Sequence, residues 1–140
     1  MKRNVIVTVR GKQSDMENAE PIEVISVGKY LEKDGVRYVS YEEVDEDGNI
    51  TKNRFKIRYN SMDMIKDGVV KTLMSFEEGK QEFALYETPF GRMEMKIETK
   101  ELKIYESPQS LSVKLLYGLT VNSTLPIDCE LDIEVCEQCN

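Results

Sequence analysis

The feature that most constrains this chain is an alternation of apolar and polar residues with period two, which runs through nearly its whole length. Leu111, Val113, Leu115, Tyr117, Leu119 and Val121 fall on one side of an extended backbone. Ile127, Cys129, Leu131, Ile133 and Val135 do the same after a short interruption. Successive side chains of a strand point to opposite faces, so each series builds one buried and one solvated face. No window of helical length carries the i, i+3, i+4, i+7 spacing of an amphipathic helix. The chain reads as all-β.

Further runs sharpen that reading. Val5, Val7 and Val9 alternate with Ile6, Thr8 and Arg10, and a β-branched run follows Pro21 over 22–31. Others span 51–60, 69–76, 83–86 and 91–104, which gives about eight to ten strands. Asp34-Gly35 and Asp47-Gly48 suit the positive φ angles of two-residue hairpin turns. A two-residue loop at Asp47-Gly48 pairs Tyr38 with Ile57 and Ser40 with Phe55 on a mostly apolar face. It pairs Tyr41 with Arg54, Val39 with Lys56 and Arg37 with Arg58 on the other. In the 91–104 run, Met93, Met95 and Ile97 occupy odd positions whereas Leu102 and Ile104 occupy even ones. That change of phase predicts a bulge near 99–101. Short strands punctuated by turns build a sandwich or a barrel, and closure into a barrel removes exposed edges. With no repeat, linker or low-complexity tract, residues 1–140 are expected to form a single β-barrel domain.

The segment FEEGKQEFALYETPFGRMEMKIETKEL, the strand ends LLYGLTV and ELDIEV, and the earlier GKYLEKDGVRYVSYEE together resemble the YwiB-like family, bacterial proteins of unknown function. The most specific piece is Tyr86-Glu87-Thr88-Pro89-Phe90-Gly91 leading into Met93 and Met95. The resemblance implies a small antiparallel up-and-down barrel of the calycin, or lipocalin-like, type rather than a sandwich. It implies no catalytic residue and no ligand.

Composition narrows the chemistry. A net charge of -7 argues against nucleic acid or an anionic membrane as partner, because such binding depends on a basic face that displaces counterions. The start, MKRNVIVTVRGK, has too few apolar residues for a signal-peptide core, and no segment reaches the ~20 apolar residues of a membrane span. Three cysteines are not an even disulfide framework, and a cytoplasmic location is expected. The absence of histidine removes the commonest general base and metal ligand. Cys136-Glu137-Gln138-Cys139 has redox or zinc spacing, but Cys129 shares parity with core positions and Cys136 does not. The thiols therefore read as metal-free, with Cys129 buried and reversible Cys136-Cys139 oxidation as the alternative. No metal site and no cofactor are expected, and an enzyme is the weakest reading. Glu78-Gly79-Lys80 lacks the spacing of a phosphate loop and reads as a turn.

Two groups of residues remain as candidates. Tyr38, Tyr59 and Tyr117 fall on inferred core faces, and Tyr86 precedes the Pro89 turn. With Ser40 and Phe55, they read either as core packing or as the lining of a site for a small apolar or amphipathic ligand in the interior or at the mouth. Met93 and Met95 read as core filling. Arg37, Lys52, Arg54, Lys56 and Arg58 form a basic exterior stripe in this register. It reads as solvated charge, or as a docking face for an acidic protein partner.

Overall fold

The computed structural model describes residues 2–13, 21–121 and 125–137. Ten strands follow one another: β1 (Lys2–Gln13), β2 (Ile22–Lys33), β3 (Val36–Val44), β4 (Ile50–Ile57), β5 (Ser61–Asp67), β6 (Lys71–Glu77), β7 (Gln81–Thr88), β8 (Gly91–Ser107), β9 (Ser110–Val121) and β10 (Ile127–Glu137). Each pairs antiparallel with its neighbours in sequence, and β1 pairs with both β2 and β10, closing the barrel. Among the described residues there is no helix long and apolar enough to cross a membrane. The strand missing from the sequence reading is β5. Its Ser-Met-Asp-Met alternation lacks the β-branched and aromatic residues that mark strands.

The inward faces meet in one cluster. Val5, Val7, Val39, Phe55, Ile57, Met62, Phe76, Ile97, Leu115 and Ile133 are all nearly or fully buried within it. Burying a side chain of this size contributes roughly 1.5–3 kcal/mol, so the inner layer is the main source of stability. Cys129 is buried and Cys136 exposed, on opposite sides of the wall as parity requires; Cys139 lies outside the described residues. The phase change in β8 is a register shift between Thr99 and Glu101. It keeps Met95, Ile97 and Thr99 inward before the bulge and Leu102 inward after it. Met93 differs from Met95: it has the inward parity but is 36% exposed at the barrel end.

The turn at Asp34-Gly35 has the expected form, with φ of 53° and 79° at its two residues. The turn at Asp47-Gly48 does not. Only Gly48 has positive φ there, at 84°. The Gly48 N–H donates to the Asp45 carbonyl (3.1 Å) and the Asp45 N–H to the Asn49 carbonyl (3.0 Å). Glu46, Asp47 and Gly48 therefore form a three-residue loop, a type I turn followed by a left-handed glycine. The extra residue moves the register by one, pairing Val39 with Phe55 and Tyr41 with Asn53. A one-residue slip turns a whole strand over. The inward residues of β3 are thus Arg37, Val39 and Tyr41. Tyr38 and Ser40, expected inside, face outward.

Candidate functional site

The two ends of the barrel differ. At one end the inward residues Val5, Tyr30, Arg37, Ile57, Met62, Phe76, Leu111 and Val135 are all buried. Arg37 clasps this end. Its guanidinium donates to the Glu106 carboxylate at 2.8 Å and to the Arg58 carbonyl at 3.1 Å. The Arg3 guanidinium covers the Tyr30 ring at 4.9 Å and pairs with Glu137. Burial first, then the Glu32 and Glu106 carboxylates, push the Tyr30 phenol above its ordinary value. A cleft of about 420 Å³ enters this end between Arg3, Tyr30 and the β8–β9 turn, and the inward Val5, Leu111 and Val135 form its floor.

The opposite end is half open. Val9, Val24, Tyr117, Leu119, Val121 and Leu131 are only partly buried there, although each packs against the core. They come from β1, β2, β9 and β10 and form an apolar wall. The facing strands, β3 to β7, contribute a row of cross-strand partners: Tyr41 pairs with Asn53, Asn53 with Lys66, Lys66 with Thr72 and Thr72 with Tyr86. The same strands one step deeper give the apolar row Val39, Phe55, Met64 and Met74. The mouth is therefore amphipathic in cross-section.

The polar row is incompletely satisfied. Asn53 is 2% exposed, and its Nδ2 donates to the Glu43 carboxylate at 2.8 Å. Its Oδ1 has no partner, and neither has the Oγ1 of the buried Thr72. A buried polar atom without a partner costs about 1–3 kcal/mol, so each of these atoms gains from a further group, a water or a ligand. Burial, followed by the Glu43 carboxylate, raises the Tyr41 phenol above its ordinary value. Across the barrel Tyr117 is raised too, by burial first and then by its cross-strand partner Cys129. Both hydroxyls stay protonated near neutrality and can donate.

The residues singled out from the sequence do not converge. Phe55 is core and stacks obliquely on Tyr41 at 6.0 Å between ring centroids. Tyr117 packs on Phe76 at 5.0 Å at the inner edge of the mouth, and Tyr86 completes the polar row. Tyr59 is 93% exposed in the turn after β4, not on a core face, because β4 ends at Ile57. Tyr38 lies outside, its ring 5.7 Å from the Lys56 ammonium. Ser40 lies outside beside Arg54. The basic stripe loses Arg37 to the seal, and Arg58 is paired with Asp63 at 3.0 Å. Lys52, Arg54 and Lys56 remain on the exterior. Lys52 and Arg54 share an outer saddle of about 510 Å³ with Lys29, Ser40, Glu42 and Asp67. Asn53, Lys66 and Thr72 were missed. Asn53 shares parity with Phe55 and Ile57, and Thr72 with Met74 and Phe76, so both positions were readable as polar residues on a core face. Lys66 was hidden with β5.

These features define a closed ten-stranded antiparallel barrel with one sealed end and one amphipathic mouth. The family model described as "Domain of unknown function (DUF1934)" matches residues 7–133, and the chain belongs to that family. It is 28% identical over 123 residues to the "Uncharacterized beta-barrel protein YwiB" of Bacillus subtilis (strain 168), covering 86% of each chain. The crystal structure of the ywiB protein from Bacillus subtilis superposes with a TM-score of 0.86 at 23% identity, over 99% of this chain and 94% of that one. The structural likeness carries the fold.

Proposed function

We propose that this chain is a non-catalytic binding protein that takes a small amphipathic molecule at the half-open mouth. One observation carries the reading: partly exposed apolar side chains line one half of the mouth, and the row of residues facing them holds buried, unpartnered polar atoms of Asn53 and Thr72. Small-ligand sites combine apolar walls with a few placed polar groups in this way. The ligand sits at the mouth rather than at the centre, because the middle of the barrel is occupied by Val39, Phe55, Met64 and Met74. A calycin-type barrel, the type that the sequence resemblance implies, would support this reading by analogy of fold. The proposal takes the protein to act in the cytoplasm, in keeping with its odd number of cysteines.

Native mass spectrometry of protein purified from its own cells tests this, together with binding of the fluorescent amphiphile anilinonaphthalene sulfonate. A small added mass, and amide shifts at Leu119, Val121 and Thr72 on probe binding, are expected. Protein that carries no added mass and binds no probe at these residues overturns the reading.

A second reading, docking of an acidic protein partner on the outer saddle, is favoured by Lys52 and Arg54, which make no ion pair among the described residues. Capture of acidic partners that is lost with Lys52→Glu/Arg54→Glu at low salt supports it. Equal recovery by both proteins rejects it.

A further inference from the structure

The polar wall of the mouth also constrains the chemistry of the ligand's head group. We infer that the mouth takes a neutral head carrying several hydroxyl groups, joined to an apolar tail. This rests on the mouth being a binding site, and it adds which head fits.

The argument starts from Asn53. Its Nδ2 faces the Glu43 carboxylate at 2.8 Å, and a carboxylate only accepts hydrogen bonds. That contact fixes the amide orientation, since the flipped form would set Oδ1 against a negative charge. Oδ1 is therefore an acceptor, buried and without a donor. One strand over stands Lys66, whose ammonium group only donates and makes no ion pair among the described residues. One strand further, the Thr72 hydroxyl is buried, unpartnered and able to do either. Asn53 and Thr72 are two strands apart, a separation of roughly 9–10 Å between backbones.

Each simple charged head fails part of this pattern. A carboxylate or phosphate would satisfy Lys66 and Thr72 but could not donate to Asn53 Oδ1, and it would bring negative charge toward Glu43. An ammonium would donate to Oδ1 but would sit beside Lys66. A hydroxyl both donates and accepts, so a group of hydroxyls can meet all three partners in turn. Several are needed because the partners span two inter-strand spacings, more than a single hydroxyl reaches. Tyr86, half-buried at the end of the row, offers a ring edge or face to the C–H groups of such a head. The tail then lies on Val24, Leu119 and Val121 across the opening.

The test compares octyl glucoside below its micelle concentration with octanoate and with glucose, following the backbone and Asn53 side-chain amide signals by NMR. Octyl glucoside is expected to bind about tenfold tighter than octanoate, an advantage equivalent to about one satisfied hydrogen bond, and to move the Asn53 side-chain signal. Thr72→Val keeps the shape and removes the hydroxyl. It should weaken octyl glucoside about five- to tenfold and not lower the melting temperature of the free protein, because an orphaned polar atom has gone. Octanoate binding as tightly as the glucoside, at the same residues, overturns the head-group inference while leaving the mouth as a binding site. No binding of either amphiphile overturns both.

Discussion

The carboxylate of Asp45 accepts the backbone N–H of Asn49 at 2.8 Å, and this contact holds the register of the β3–β4 hairpin. The same oxygen also accepts the Asp47 N–H at 2.9 Å. With Asp45 at the first position of the turn and Gly48 at the fourth, a type I turn forms and the glycine takes the left-handed conformation that follows it. The consequence reaches the length of β3. Arg37 and Tyr41 turn inward, and Tyr38 and Ser40 face solvent.

The hydrogen bond from Asn49, the largest cause, holds the Asp45 carboxyl below its ordinary value of 3.8. A depressed folded value means that this contribution to stability is complete above the ordinary value and is lost as pH falls through the folded one. The Asn49 and Asp47 amide signals should therefore titrate together below pH 3.8, and Asp45→Ala should abolish that titration and lower the melting temperature. Amide signals titrating at the ordinary aspartate value would contradict this account of the turn.

The register also fixes a pair of stability effects. Phe55→Ala removes a fully buried ring and should cost about 3–5 kcal/mol in denaturant unfolding. Tyr38→Ala removes an outer ring that touches Lys56, and should cost no more than about 1 kcal/mol. Equal losses for the two would return Tyr38 to the interior.

How far the sequence could be read follows from these particulars. The strands with β-branched residues on one parity, β1, β9 and β10, were legible, as was the bulge that brings Leu102 back into phase. The Asp47-Gly48 dipeptide misled because it satisfies two turn types. The Asp45-x-x-Gly48 spacing that separates them depends on a side-chain hydrogen bond to the backbone. The polar row was less visible for a different reason. Asn53 and Thr72 stand at core parity on strands whose other residues are apolar, and only the closed barrel shows that they adjoin one another through Lys66. The Arg37 clasp joins residues 69 positions apart, a contact no local pattern announces.

The tyrosines give an alkaline prediction. Burial, as the largest cause, raises both Tyr41 and Tyr117 above the ordinary phenol value of 10.0. A raised folded value means stability that is intact below pH 10.0 and lost as pH climbs toward the folded value, because the unfolded chain ionises first. Phenolate absorbance should rise for these two residues only together with unfolding. Tyr41→Phe should shift the alkaline unfolding midpoint upward, and an unchanged midpoint would count against a buried phenol.

The sealed end tests whether charge or burial dominates at Arg37. Its side chain is 10% exposed, whereas that of its partner Glu106 is 50% exposed. An ion pair with one arm in water contributes about 0–1 kcal/mol, so Glu106→Ala should have an effect of that size. Arg37→Ala removes more. It deletes a buried aliphatic stem and leaves the Arg58 carbonyl without its donor, each a loss on the order of 1–2 kcal/mol, for about 2–4 kcal/mol in all. Arg37→Met keeps much of the stem and should recover part of that loss while still lacking the ion pair. A double-mutant cycle between positions 37 and 106 should return a coupling below about 1 kcal/mol, well under the effect of Arg37→Ala alone. A coupling as large as the single-mutant effect would show that the end is held by charge rather than by the buried stem and the Arg58 carbonyl.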